Sequence, residues 1–375
     1  MRQFARNDII SLVGSPPPYD LAESVGPDLR LAELLESADD PQLLTLPLAY
    51  GTAQGEPRLR QAIADVHGVQ ADDVVLTVGG AHALFLLAFI LCEPGDEAVT
   101  TSPLFPVARS GLEAVGATVR TLRLSFDDRY QPDLVELAEL LSPRTKLVSL
   151  ATPQNPSGVS MPAKTLSDIV ALMRRKSPAA FLLVDETYRE ATYGDAPAIE
   201  SALQLHPKVV SVASLSKCHG APGLRLGWAI ARDPTLREQL VLAKFNTVVS
   251  CSPLDEALAL RVLERRASIL GTRRRHLAAG LALTEDWAHR NQELIEWVRP
   301  DAGALSCVRL RANVFNDAAV KQFYETLRPR NARVASGTWF GEEPRVFRLG
   351  FGLLETAELS KALAVVEDVL RQTMR

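Results

Sequence analysis

Hydrophobic positions in the first two thirds of the chain fall into short runs rich in β-branched residues, separated by longer stretches with helical spacing. The runs lie at residues 74–76, 98–100, 118–119, 147–150, 181–184, 209–212 and 228–230, with helix-like segments such as 57–67, 81–92 and 164–175 between them. Short apolar strands alternating with helices predict an α/β fold in which a mainly parallel seven-stranded sheet lies between helices. Beyond Ser252-Pro253 the pattern changes. Long helical stretches at 254–269 and 273–289 precede strand candidates at 305–310, 332–336 and 346–351, which alternate with helices near 318–327 and 357–374. The expected organisation is a large domain over residues 41–252 and a smaller α+β domain over 253–375, joined by residues 1–40, whose proline clusters have no place in the large sheet.

Composition narrows the function without naming it. The chain has 375 residues, with 41 basic and 45 acidic side chains for a net charge of −4, and no long run of one sign that would suit a nucleic acid. The longest apolar run, residues 83–92, is about half of what a bilayer span needs. The first residues, MRQFARNDII, lack the apolar stretch of a secretory signal, so a cytoplasmic protein is expected, without a membrane partner. Cys92, Cys218, Cys251 and Cys307 lie far apart and form no C-x-x-C pair, which argues against zinc and against a disulfide framework. No P-loop is present, and Gly350-Phe351-Gly352 continues without the third glycine of a dinucleotide fingerprint.

The chemistry concentrates where predicted strands end. The segment Ser214-Leu215-Ser216-Lys217-Cys218-His219-Gly220 leads on to Arg225 and follows the run at 209–212. Lys217 therefore falls on a loop beyond a strand's C-terminal end, where open α/β sheets place their ligands. Ser214, Ser216 and Arg225 are donors of the kind that hold a phosphate dianion; the alternative is a solvated lysine in a glycine-rich loop. Asp185 closes the apolar run at 181–184 in the string Val184-Asp185-Glu186-Thr187-Tyr188. A carboxylate there is costly unless a cation meets it, or it caps a helix. Asn155 sits in Gln154-Asn155-Pro156-Ser157-Gly158, a turn whose Asn-Pro bond is open to either isomer. In Thr77-Val78-Gly79-Gly80-Ala81-His82, two glycines at a strand-to-helix junction let backbone N–H groups face an anion.

Together these segments resemble the class I/II aminotransferases of fold type I, the aspartate aminotransferase superfamily, over nearly the whole chain. The resemblance implies pyridoxal 5′-phosphate (PLP) as cofactor, held by Lys217 as a Schiff base. It assigns phosphate contacts to Gly80, Ala81, His82, Ser214, Ser216 and Arg225, although the family often has a hydroxyl or a lysine where this chain has Ala81 and His82. Asp185 would hold the proton on the pyridine nitrogen, with Asn155 and Tyr188 at the phenolic oxygen. Phe105 would stack on the ring, where many relatives have Trp or Tyr; the plain alternative is a core aromatic. Tyr50, in Tyr50-Gly51-Thr52, matches the tyrosine that reaches the neighbouring subunit's phosphate, which implies a homodimer with shared active sites. Arg348, in Phe347-Arg348-Leu349, matches the clamp on the substrate's α-carboxylate, with Asn155 and Gly14 also at the substrate; otherwise it is a strand arginine at the surface.

The implied activity is transfer of an amino group between an amino acid and a 2-keto acid, with Lys217, Asp185 and Tyr188 as catalytic residues. A β-lyase, a decarboxylase, or an oxidase or cyclase acting on a guanidino amino acid would share every motif named. A PLP-binding regulatory domain fused to a DNA-binding module fits poorly, since no helix-turn-helix has room before Tyr50.

Overall fold

The β-branched runs become strands because apolar side chains on both faces of each run find cover. The computed structural model describes residues 4–35 and 40–374; residues 36–39 of the expected crossing segment lie outside the described residues. Its strands are β1 Tyr19–Leu21, β2 Val74–Val78, β3 Glu97–Ser102, β4 Thr118–Arg123, β5 Thr145–Ala151, β6 Phe181–Asp185, β7 Val209–Ser214, β8 Leu226–Ala231, β9 Ile295–Val298, β10 Leu305–Leu310, β11 Ala332–Ser336 and β12 Val346–Gly350.

Seven strands form one sheet in the order β2-β8-β7-β6-β5-β3-β4. Only β8 runs against its neighbours. Side chains alternate between two apolar layers, as a sheet covered on both faces requires. Leu147, Leu183, Val210 and Val212 pack in one layer with the helices Gly79–Leu91 and Pro234–Val248. Val148, Leu150, Leu182 and Val184 pack in the other with the helix Ala163–Lys176. The α/β fold with a mainly parallel seven-stranded sheet is thus as expected.

The second sheet, β1-β11-β12-β10-β9, carries the helices Arg266–Arg290, Asp317–Leu327 and Thr356–Thr373 over one apolar cluster. Its edge strand β1 comes from the N-terminal segment and pairs in parallel with β11, Tyr19 opposite Ala332. The helical run expected at 254–269 is two helices, Pro253–Glu264 and Arg266–Arg290, parted at Arg265. The two arginines at the break leave in different directions: Arg265 donates to Glu33 O and Arg266 pairs with Glu190.

Candidate active site

Three parallel strands deliver their C-terminal ends to one place. Beyond β5 lies Asn155, at the end of β6 stands Asp185, and after β7 comes Lys217. The bonds Asn155–Pro156, Thr152–Pro153 and Ser102–Pro103 are cis. Lys217 is flanked by Ser24, whose hydroxyl accepts a hydrogen bond from Lys217 Nζ at 3.1 Å. The same hydroxyl accepts from Tyr188 Oη at 3.0 Å, and Tyr188 is buried. Burial pulls the amine of Lys217 down to about 8, with Arg348 acting the same way while Glu23, Asp185 and Asp28 oppose it. A lysine of this kind has a large neutral fraction near pH 8, as a nucleophile or a base needs.

Asp185 accepts from Thr187 N at 3.0 Å and from Thr187 Oγ1 at 2.5 Å. No helix begins here, so the capping alternative falls away. Its carboxyl is pushed up by burial, and Thr187 and Lys217 pull it back only in part. It forms no ion pair among the described residues, so a protonated pyridine nitrogen is the kind of partner it lacks.

The helix Gly79–Leu91 opens without a side-chain cap, leaving its first N–H groups, including those of Gly80, Ala81 and His82, outside the helical ladder. Gly79 has φ +73°, and a Cβ there would stand 2.7 Å from Arg225 Nη2. A Cβ on Gly80 would stand 3.8 Å from Ser214 Cβ. Helix N-terminus, guanidinium and serine thus lie side by side, an arrangement that suits an anion. Ser216 joins through its backbone, N donating to Ser214 Oγ at 3.3 Å. The His82 ring is used internally: Nδ1 accepts from Val78 N at 3.2 Å and Nε2 meets Thr247 Oγ1 at 3.1 Å. What this residue offers an anion is its backbone N–H.

Arg348 is buried, not at the surface. Its Nη1 donates to Asn155 Oδ1 at 2.9 Å, its Nη2 donates to Ala22 O, and its guanidinium carbon lies 4.6 Å from the centre of the Phe340 ring. Nε is buried without a partner, which leaves donor capacity on a five-donor group. Phe105 is half-buried at the start of the helix Pro106–Val115. Tyr50 is 86 % exposed, and Gly14 is exposed with nothing within 4 Å of a Cβ built on it, so neither is brought into contact with the cluster within one chain.

Ser24 escaped the sequence reading, and so did Arg273. Arg273 Nη1 donates to Pro27 O, and its Nη2 lies 3.4 Å from Lys217 O. A small cleft beside Lys217 is lined by Ser24, Gly26, Tyr188, Arg273 and Ala304.

A cradle for a phosphate, a carboxylate lacking a cation and a lysine with a lowered pKa fit one cofactor, and the sequence agrees. Residues 29–366 match the family described as aminotransferase class I and II, and the chain belongs to it. It is a PLP-dependent enzyme of that family. Capreomycidine synthase of Streptomyces vinaceus is 30% identical over 345 residues, covering 88% of this chain and 85% of that enzyme. Arginine–pyruvate transaminase of Pseudomonas aeruginosa is 30% identical over 65% of this chain and 66% of its own. Among solved structures, a PLP-dependent aminotransferase from Streptococcus suis superposes with TM-score 0.87 at 25% identity, covering 96% of this chain and 95% of that one. The PLP-dependent cyclase OrfR does so with TM-score 0.85 at 26% identity, covering 99% and 98%.

Proposed function

We propose that the chain is an aminotransferase that moves an amino group between an amino acid and a 2-keto acid, with Lys217 as the proton carrier. The observation that carries this reading is the buried amine of Lys217, with its pKa lowered to about 8, in one cluster with Asp185, Tyr188 and Arg348. When bound, PLP supplies an aldehyde carbon for covalent attachment and a ring that takes up the electron pair released at the substrate's Cα.

The protein's part is holding and proton transfer. Lys217 Nζ would hold the cofactor at its aldehyde carbon and, when freed by the amino donor, would move the substrate's Cα proton to that carbon. Asp185 keeps the pyridine nitrogen protonated, while Tyr188 and Asn155 serve the phenolic oxygen and Phe105 covers the ring. The N–H groups of Gly80, Ala81 and His82 hold the phosphate together with Ser214, Ser216 and Arg225. Arg348 receives the α-carboxylate, with Asn155 and Gly14 beside it. Two of its five N–H groups are in use, so a carboxylate finds donors without displacing both present partners.

Tyr50 completes the phosphate site of a second copy in a homodimer. In support, its side chain is exposed, as are Leu242, Phe245, Val248, Val249 and Leu254 on the helix Pro234–Val248 and just after it.

A second reading, a cyclase or another PLP reaction on a guanidino amino acid, has its own support. The relatives include capreomycidine synthase, and OrfR is a cyclase of the same fold. Glu23 acts on the charges of both Lys217 and Arg348, so it suits a cationic substrate side chain. Single amino acids incubated without a keto acid separate the readings. Transamination gives one stoichiometric half-reaction and stops. Continued turnover, whether to a cyclised product or with release of ammonia, carbon dioxide or peroxide, sinks it. A Lys217→Ala protein that turns over amino donors at the wild-type rate overturns both.

A further inference from the structure

The chain leaves β1 and crosses to the Lys217 loop as a short strap, residues 22–29, and the strap is fixed at both ends. On the small-sheet side Arg348 Nη2 donates to Ala22 O, and Glu23 O lies so close to β12 that a Cβ on Gly350 would stand 1.8 Å from it. On the other side a Cβ on Gly26 would stand 2.9 Å from Arg273 Nη2. Arg273 also donates to Pro27 O and approaches Lys217 O, and Leu29 N donates to Gly220 O at 2.8 Å. Between these anchors Ser24 is 3 % exposed, so little water competes for its hydroxyl.

We infer that Ser24 is a positioning residue for Lys217, its hydroxyl tying the lysine amine to the Tyr188 phenol so that the freed amine keeps a fixed direction toward the substrate. The distances of 3.1 Å to Lys217 Nζ and 3.0 Å to Tyr188 Oη are both within hydrogen-bonding range. A lysine has a long flexible stem, and one N–H given to a rigid acceptor removes much of its rotamer freedom. The strap thereby links the carboxylate clamp, through Ala22, to the proton carrier, through Ser24. The inference rests on reading Lys217 as that carrier.

Ser24 also favours the protonated amine, because an acceptor binds an ammonium more strongly than a neutral amine. The charged and titratable groups around Lys217 are Glu23, Asp185, Asp28 and Arg348, with Tyr188 across the Ser24 hydroxyl and Arg273 at Lys217 O, and all remain when Ser24 is changed. Ser24→Ala therefore lowers the Lys217 midpoint from about 8 by about one pH unit, a tenfold shift in the protonation equilibrium.

The test is reductive methylation of the cofactor-free protein across pH, with the Lys217 peptide followed by mass spectrometry. Ser24→Ala and Ser24→Cys are both expected to move the midpoint down by about one unit, and Ser24→Thr to restore it to within about 0.3. Cysteine keeps the volume and replaces the oxygen by a weak acceptor, so it carries the test if the alanine variant folds poorly. In the loaded enzyme Ser24→Ala is expected to lower kcat about tenfold with KM for the amino donor within about threefold, and Ser24→Thr to recover most of the loss. An unchanged midpoint in both Ser24→Ala and Ser24→Cys, with kcat within about twofold of wild type, overturns the inference. The methylation uses no cofactor, so its outcome stands apart from the question of where PLP attaches.

Discussion

Gly227 on β8 lies between Thr77 on β2 and Ser214 on β7, directly behind the proposed anion cup. A Cβ there would stand 2.6 Å from Gly79 C and Gly80 N and 2.9 Å from Ala213 O, all of them backbone atoms. Carbon atoms pack best at about 3.5–4.0 Å, so Gly227→Ala forces roughly 1 Å of movement on two neighbouring segments. Overpacking of this kind costs about 1–3 kcal/mol. Part of the movement has to come from the start of the helix Gly79–Leu91, away from Arg225 and Ser214. The expected result is a loss of about 1–3 kcal/mol in urea denaturation of the cofactor-free protein, and at least about tenfold weaker PLP binding. Gly80→Ala is the stability control: its Cβ meets nothing closer than 3.7 Å. Alanine is the better helix former there by up to about 1 kcal/mol, so stability holds or rises. Wild-type stability and PLP affinity in Gly227→Ala would refute the packing reasoning.

Lys217→Met is expected to stabilise the cofactor-free protein at neutral pH. Lys217 has a folded pKa of about 8 against 10.5 for the free group, so between these values the unfolded chain binds the extra proton. Wild-type stability therefore rises with pH through that window. The Met advantage, on the order of 3 kcal/mol below pH 8, fades toward pH 10.5, as denaturation at several pH values will show. Arg348→Lys keeps the charge and loses the planar fork; kcat/KM for amino donors is expected to fall about 100-fold in steady-state assays. Asp185→Asn is expected to lower kcat by about 10²–10³-fold, measured on protein saturated with PLP.

The site's centre was legible because parallel strands put their chemistry at one end. Asn155, Asp185 and Lys217 each follow an apolar run at its C-terminal side, and sheet topology then makes them neighbours. The strand-to-helix junction at Gly79 and Gly80 was legible for a similar reason, two glycines between an apolar run and a helical stretch. Ser24 was not, because β1 has only three residues, too few to show a period, and the strap's path depends on Arg273, buried partners and a sheet edge far along the chain. The break at Arg265 was hidden as well, since the apolar spacing continues across it while two side chains pull apart. The use of the His82 ring was hidden too: Nδ1 meets Val78 N four residues back, but Nε2 meets Thr247 Oγ1 on the helix Pro234–Val248, far along the chain. The roles proposed for Tyr50 and Gly14 call for a second copy and a bound substrate, and the pattern of one chain encodes neither.

The most direct test of the central claim is reduction of the PLP-loaded protein with borohydride, followed by digestion and peptide mass mapping. The pyridoxyl mass is expected on the peptide that contains Lys217 and on no other. Its appearance on another lysine, such as Lys244, which is 0 % exposed on the helix Pro234–Val248, would contradict the account.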